Sequence, residues 1–225
     1  VGRTTGDLKE FWHFGQDLNA HLNLKEIYPD NIHVKELHHF NSVGNQVFKK
    51  LEKTAEVLLQ AIALYLGLDE FYFDPYIQEG NSILRAIHYP PITQAPEEAE
   101  RAAAHGDINL ITLLMGSQGG GLQVLNRNEK WIDAVAAPDE LMINIGDMLS
   151  RLTNNHLPST IHRVVNPPQE EWGKARFSLP FFMHPVPKMP LNCLPQMIDE
   201  THPKKYEDIE AGAFLHERLV ALGLL

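Results

Sequence analysis

Short apolar runs separated by turn-forming residues fill the chain from Ser82 to Phe182, and they constrain the fold more than any other feature of the sequence. Glycine, proline, asparagine and aspartate stand between the runs. Such runs predict β-strands, which we place at Ile83–Tyr89, Ala102–His105, Leu110–Leu114, Leu122–Leu125, Trp131–Ala134, Leu141–Ile145, Met148–Leu152, Thr160–Val165 and Arg176–Phe182. Many short strands at this spacing are typical of a sandwich, a jelly roll or a barrel.

Helices are predicted on both sides of this β region. Over Val34–Leu66 apolar residues recur largely at steps of three and four, which indicates one long amphipathic helix that ends before Gly67. Gly44 is the point at which this helix could break. A second amphipathic helix is predicted at Asp208–Leu222, and a helical turn at Asp7–Trp12. The length of 225 residues suits a single, mainly β domain packed against the two helices.

The charge balance and the cysteine content limit the classes of partner and the compartment. The formal net charge is −10, from 29 acidic and 19 basic side chains. Such a surface repels phosphate backbones and anionic lipid heads, so we expect neither nucleic acid nor a membrane as partner. No apolar run reaches the roughly 18–20 residues that a transmembrane helix needs. Cys193 is the single cysteine, so no intrachain disulfide can form, and we expect a cytoplasmic location.

A candidate metal site begins with His105 and Asp107, which are separated by Gly106. Positions i and i+2 of a strand point to the same face, so this imidazole and this carboxylate can converge on one ion, and the glycine permits a tight backbone between them. A third ligand must come from elsewhere. Two histidines and one carboxylate on one face leave three coordination positions open, as in the non-haem iron(II) oxygenases. The residues alone leave His162, His156 and His184 as candidates for the third position.

A set of short motifs carries a resemblance to a known family. They are Leu84–Pro91, His105–Asp107, Gly120–Val124, Asn144–Asp147, Leu152–Asn154, Ser159–Val164, Arg176–Ser178 and Phe181-Phe182. From about Ser82 to Pro185 the chain resembles, in motif order and nearly in spacing, the isopenicillin N synthase-like family of iron(II)/2-oxoglutarate oxygenases. The resemblance implies a double-stranded β-helix, or jelly roll, with iron(II) between the ends of its two sheets.

The resemblance also implies roles for particular residues. It selects His162 as the third iron ligand beside His105 and Asp107, because His162 precedes an arginine as in the family's His-Arg pair. Arg176 and Ser178, on one strand face, match the pair that holds the distal carboxylate of 2-oxoglutarate, and Tyr89 matches a tyrosine that reaches the same region. A guanidinium and a hydroxyl are suited to such a carboxylate. No catalytic side chain is expected beyond the metal ligands.

The resemblance divides the single domain, residues 1–225, into three parts. These are a helical scaffold at 1–81, the jelly-roll core at 82–185, and a C-terminal extension with its helix at 186–225. The family's usual strand and helix before the Leu8–Trp12 region are missing, so we expect a chain truncated at its N-terminal side.

The expected activity is the oxidation of a small organic substrate by dioxygen, as hydroxylation, desaturation or ring closure, coupled to the oxidative decarboxylation of 2-oxoglutarate. Two departures are present: Ile87 stands where plant members often carry asparagine, and Pro167–Gly173 lengthens a surface turn. Relatives that do not use 2-oxoglutarate also carry the Arg-x-Ser pair. The alternatives are therefore a 2-oxoglutarate-independent iron oxidase of the isopenicillin N synthase type and a non-catalytic jelly-roll ligand-binding protein. The oligomeric state is not predicted.

Overall fold

Two antiparallel sheets form the centre of the molecule. A computed structural model describes residues 6–17, 27–96 and 99–225, apart from the side chains of residues 117 and 118. The strands are β1 (Glu10–Phe14), β2 (Ile83–Tyr89), β3 (Ala102–His105), β4 (Ile111–Gln118), β5 (Leu122–Leu125), β6 (Trp131–Asp133), β7 (Leu141–Ile145), β8 (His162–Val164) and β9 (Arg176–Met183). The larger sheet has the order β1-β2-β9-β4-β7, and the smaller sheet has the order β3-β8-β5-β6. The predicted double-stranded β-helix is confirmed.

Helices cover the outer face of the larger sheet. They are α1 (Phe40–Tyr65), α2 (Asp74–Ile77), α3 (Asp147–Leu152) and α4 (Ala211–Ala221). Helix α1 buries a stripe that comprises Gly44, Phe48, Leu51, Ala55, Leu59 and Ala63. The Phe48 ring meets the ring of Phe181 from β9 edge-on, with 5.2 Å between their centroids. Because each fully buried leucine or phenylalanine contributes roughly 1.5–3 kcal/mol, this interface holds the main core together. None of the helices in the described ranges is long and apolar enough to cross a membrane.

The prediction of a strand at Met148–Leu152 is wrong, because this stretch lies within helix α3. Met148, Leu149 and Leu152 fall on one side of the helix, and all three are fully buried. The backbone N–H of Ser150 donates to the Gly146 carbonyl at 3.0 Å and closes the first turn. A short apolar run has the same composition in a buried strand and in a buried helix, so periodicity could not separate them.

The prediction of a helical turn at Asp7–Trp12 is also wrong. Residues Glu10–Phe14 form β1, which pairs antiparallel with β2, so the region 1–81 is not a purely helical scaffold. The strand forms because the edge of β2 offers it hydrogen-bonding partners, and Phe14 is buried against α1 once the strand is in place. The short segment carries no sign of this partner, which lies about seventy residues away in the chain.

Helix α1 begins later than predicted and runs through Gly44 without a break. It starts at Phe40, and the side chain of Asn41 holds the preceding loop by accepting from the Val34 N–H and donating to the Ile32 carbonyl, each at 2.8 Å. A Cβ atom on Gly44 would lie 2.2 Å from the Phe14 ring. Glycine is present there because the ring packs directly on the helix backbone.

Candidate active site

Three candidate metal ligands meet at the open end of the smaller sheet; we call His105, Asp107 and His162 the metal triad. His105 ends β3, His162 begins β8, and the two residues are paired in register. The Asp107 Oδ1 atom lies 4.0 Å from His105 Nε2 and 3.7 Å from His162 Nε2. The donor atoms of the triad all lie within 4.8 Å of one another, a spacing that one ion can bridge.

Backbone carbonyls hold both imidazoles in the orientation that a metal requires. The Nδ1 atom of His105 lies 2.7 Å from the Ala103 carbonyl, and the Nδ1 atom of His162 lies 3.0 Å from the Thr160 carbonyl. Because a carbonyl can only accept a hydrogen bond, each Nδ1 atom carries the ring proton. Each Nε2 atom therefore presents its lone pair to the centre of the triad.

The carboxylate of Asp107 divides its two oxygens between the protein and the centre of the triad. Oδ2 accepts hydrogen bonds from Thr112 Oγ1 at 2.6 Å and from Asn144 Nδ2 at 2.9 Å, which leaves Oδ1 facing the imidazoles. Burial by itself raises the pKa of Asp107, but His162 and the two hydrogen bonds outweigh it and hold the pKa below its usual value. Burial, followed by the nearby His162, lowers the pKa of His105. At neutral pH the carboxylate is therefore ionised and His105 is neutral, as metal binding requires.

The loop that carries Asp107 is packed against the first turn of α3. The Asp147 N–H donates to the Asp107 carbonyl at 2.7 Å, and the Met148 N–H donates to the Ile108 carbonyl at 3.1 Å. A Cβ atom on Gly106 would lie 2.9 Å from Ser159 Oγ and 3.0 Å from the Asp147 carboxylate. A larger residue at this position would have to displace these two side chains.

The two competing histidines lie outside the triad. His156 is exposed, and its Nδ1 atom lies 3.0 Å from the Thr153 carbonyl. His184 follows β9 and is buried, and its backbone N–H donates to Ser82 Oγ at 3.2 Å. Burial lowers the pKa of His184 to about 4, so this imidazole is neutral at pH 7. Neither side chain belongs to the cluster of possible metal ligands among the described residues.

Tyr89, Arg176 and Ser178, here called the carboxylate pocket, lie together on the larger sheet. Tyr89 of β2 is paired with Arg176 of β9, and Ile87 is paired with Ser178. Arg176 is only 2% exposed, and its guanidinium carbon lies 4.9 Å from the centre of the Tyr89 ring. Burial lowers the pKa of Arg176, but an arginine remains charged at neutral pH. The apolar Ile87 side chain occupies the position opposite the serine.

A second buried arginine, Arg101, also lies near Tyr89, and no motif in the sequence predicted a role for it. Arg101 is 4% exposed, and its guanidinium lies 6.0 Å from the centre of the Tyr89 ring. It donates to the Lys174 carbonyl at 3.0 Å. Its positive charge adds to the field at the carboxylate pocket. No motif marked Arg101, because its proximity to Tyr89 arises from the packing of the smaller sheet, which it precedes, against the larger sheet, which carries Tyr89.

One cavity of about 300 Å³ joins the metal triad to the carboxylate pocket. Its remaining wall is largely apolar and includes Leu114, Leu122, Val124, Met142, Val164 and Phe182. Arg85 and Lys9 also line it, and the sequence analysis gave neither a role. A mostly apolar cavity with a few convergent polar groups is the usual form of a small-molecule site. The two imidazole nitrogens and the carboxylate oxygen suit iron(II), and the buried guanidinium suits an organic anion beside it.

Comparisons with known proteins agree with this geometry. A sequence model of the 2OG-Fe(II) oxygenase superfamily matches residues 80–185. A solved 2OG-Fe(II) oxygenase family protein from Caulobacter crescentus is 44% identical, with a TM-score of 0.89 over 98% of this chain and 72% of that one. A full-length Neurospora crassa protein, solved in complex with alpha-KG, is 32% identical, with a TM-score of 0.83 over 96% of this chain and 67% of that one.

Curated relatives carry names of the same kind. The 2-oxoglutarate-Fe(II) type oxidoreductase hxnY of Emericella nidulans is 30% identical over 94% of this chain. A 2-oxoglutarate-Fe(II) type oxidoreductase of Aspergillus fumigatus is 33% identical over 76% of this chain. The chain spans 64% of the first of these relatives and 50% of the second. The sequence match, the shared fold and the identity to solved members together show that this chain belongs to the 2OG-Fe(II) oxygenase superfamily.

Proposed function

We propose that this protein is an iron(II)- and 2-oxoglutarate-dependent oxygenase that oxidises a small organic molecule in the cytoplasm. The observation that carries the proposal is the presence, in one cavity, of the metal triad and the buried Arg176 of the carboxylate pocket. Bound iron(II) would supply the position at which 2-oxoglutarate and dioxygen react together. In this reaction 2-oxoglutarate is decarboxylated to succinate.

His105, Asp107 and His162 are proposed to hold the iron. The Nδ1–H hydrogen bonds to Ala103 and Thr160 keep both Nε2 atoms directed at the ion, and the bonds from Thr112 and Asn144 keep Asp107 Oδ1 free for it. Partners of this kind orient the ligands and raise metal affinity. Asp107 acts as a ligand in this scheme, so it does not move a proton.

The carboxylate pocket is proposed to bind the distal carboxylate of 2-oxoglutarate. The Arg176 guanidinium can donate two parallel hydrogen bonds to a carboxylate, and Ser178 Oγ can donate a third. The Tyr89 ring packs against the guanidinium, 4.9 Å from ring centre to guanidinium carbon, and helps to hold it in place. Because Arg176 is almost completely buried, its charge is poorly screened by solvent and attracts an anion strongly.

The substrate is proposed to be a small molecule rather than a nucleic acid or a lipid surface. The cavity volume of about 300 Å³ fits a small ligand, and the net charge of −10 opposes binding to polyanions. The Neurospora crassa protein has also been solved with thymine and with 5-formyluracil, which are small molecules. The apolar wall of the cavity would exclude water from the reaction.

A second candidate is an iron oxidase that does not use 2-oxoglutarate. It is favoured by relatives named 1-aminocyclopropane-1-carboxylate oxidase in Dictyostelium discoideum and Dictyostelium mucoroides, which are 27% identical over 85% of this chain. In that case Arg176 and Ser178 would bind a carboxylate of the substrate.

Anaerobic titration of iron(II) into the apo-protein, with and without 2-oxoglutarate, tests the proposal. We expect a weak visible charge-transfer band that requires both components, is absent in His162→Ala and is weakened in Arg176→Ala. Iron binding without a band would favour the oxidase. If the band forms but no candidate substrate in a screen causes oxygen consumption, a non-catalytic binding protein would be favoured. Absence of iron binding would refute both enzymatic candidates.

A further inference from the structure

We propose that Arg85 is the substrate-recognition residue of this cavity and that the substrate carries a carboxylate, which the Arg85 guanidinium binds. This inference rests on the proposed function. It adds the chemical class of the substrate and the residue that recognises it.

The alternation of strand β2 places Arg85 in the cavity at a distance from Arg176. Arg85, Ile87 and Tyr89 are successive residues on one face of β2, and all three line the cavity. Tyr89 is paired with Arg176. Arg85 lies four positions before Tyr89 on β2, which corresponds to about 13 Å between their Cα atoms. Arg85 and Arg176 thus line the cavity from different positions along the larger sheet, and 2-oxoglutarate held at Arg176 leaves Arg85 for a different ligand.

Contacts from three sides hold the Arg85 side chain in place. Its Nε–H donates to His13 Nε2 at 2.7 Å, and its guanidinium carbon lies 4.4 Å from the centre of the Phe11 ring and 5.1 Å from that of Phe182. Burial, and then the charge of Arg85, lowers the pKa of His13 to about 4, so His13 is a neutral acceptor at pH 7. A guanidinium that is fixed in this way loses little conformational freedom when it binds a ligand.

The charge of Arg85 has no carboxylate partner within the described part of the chain. None of the ion pairs formed there includes it. Lys9, the other cation that lines the cavity, is paired with Asp7 at 2.8 Å. A partly buried charge without a carboxylate in direct contact is only partly compensated, and a ligand carboxylate would add the missing contact.

The position of Arg85 relative to the metal triad suits a substrate contact. The Asp107 carboxylate is near enough to act electrostatically on the Arg85 guanidinium. A molecule anchored by its carboxylate at Arg85 would therefore extend along the apolar wall towards the triad. A fixed anchor at one end of a small substrate determines which carbon lies nearest the metal.

Matched neutral and anionic probes test the proposal. Protein saturated with iron(II) and 2-oxoglutarate is titrated anaerobically by calorimetry with acetate, benzoate and phenylacetate, and with acetamide, benzamide and phenylacetamide. We expect at least one carboxylate to bind about tenfold or more tightly than its amide, because a charge-assisted hydrogen bond replaces a neutral one. Arg85→Gln should abolish this preference, and Arg127→Gln, which removes an exposed arginine outside the cavity, should retain it.

Arg85→Lys keeps the charge but lacks the planar guanidinium, so it should show a smaller preference for carboxylates over amides than the wild type. This variant replaces Arg85→Gln in the test if Arg85→Gln does not fold. The proposal is overturned if no carboxylate outbinds its amide in the wild type, or if the Arg85 variants keep the full preference. Loss of the charge-transfer band in Arg85→Gln would place Arg85 at the cosubstrate and would also overturn it. A wild-type protein that shows no band would instead contradict the proposed function, and the calorimetric comparison would still decide the role of Arg85.

Discussion

The two sheets of the jelly roll differ in how they hold the candidate active site. The smaller sheet carries both histidines of the metal triad at strand ends, and each ring is oriented by a carbonyl two residues before it. The larger sheet carries the carboxylate pocket within paired strands, and Arg176 is almost fully buried there. Local contacts therefore orient the two histidine ligands, whereas strand register and burial position the anion-binding arginine. Asp107, on the loop after β3, is held by Thr112 and Asn144 of the larger sheet. Changes on the smaller sheet should affect the metal first, and changes on the larger sheet should affect the cosubstrate or the stability.

The largest effect is expected for Asp107→Ala. The substitution removes the anionic ligand and leaves two neutral imidazoles, so iron(II) should no longer bind stoichiometrically, while the fold persists on the core of the larger sheet. Metal analysis after gel filtration, together with circular dichroism, would measure both. Stoichiometric iron in this variant would show that the triad does not hold the metal.

Lowering the pH should reduce the free energy of unfolding by protonating a histidine buried beside the larger sheet. The pKa of buried His184, which follows β9, is about 4 in the folded state against 6.5 for the free side chain. Because the folded pKa is depressed, the stabilisation is fully present above pH 6.5 and is lost as the pH falls to about 4, by roughly 3 kcal/mol. Urea unfolding of the apo-protein across this window would measure it.

The matched control for that experiment is His156→Gln, which changes an exposed histidine. His184→Gln should reduce the loss of unfolding free energy between pH 6.5 and about pH 4. Equal pH dependence in the two variants would contradict the assignment to His184.

Arg176→Leu should separate the functions of the two sheets. Loss of the buried guanidinium should weaken 2-oxoglutarate binding by about 10–100-fold, because a charge-assisted hydrogen bond contributes about 1.5–3 kcal/mol. Iron binding in the absence of 2-oxoglutarate should be unchanged. Calorimetric titrations with iron(II) and then with 2-oxoglutarate would test this. An equal loss of both affinities would show that the two sheets do not have separate functions in iron and cosubstrate binding.

The smallest effect is expected for Thr112→Val. Thr112 lies on β4 of the larger sheet, but its side chain contacts Asp107 of the metal triad. Its hydroxyl donates to Asp107 Oδ2 at 2.6 Å, so its loss should lower iron affinity by about tenfold. Thr54→Val on the surface of α1, where the hydroxyl binds a helix carbonyl, is the control and should leave iron affinity unchanged. Equal iron affinities in the two variants would show that the Thr112 hydrogen bond does not support the metal triad.

The sequence was most informative where a local pattern was sufficient. Strands β2, β3, β5 and β7 have the predicted bounds, because alternation and flanking turn residues mark a strand without reference to its neighbours. Helix α3 was missed because its apolar run is too short to show a period. Strand β1 was missed because its hydrogen bonds depend on the edge of β2.

The sequence by itself determined the mainly β fold, the His105-Gly106-Asp107 motif and the family resemblance that selects His162. The tertiary structure alone decided that Thr112 and Asn144 support Asp107, that Arg101 flanks Tyr89, and that Arg85 faces the cavity. The reason is physical. A motif needs only the fixed geometry of neighbouring residues, whereas these arrangements depend on how strands and loops from different parts of the fold pack together.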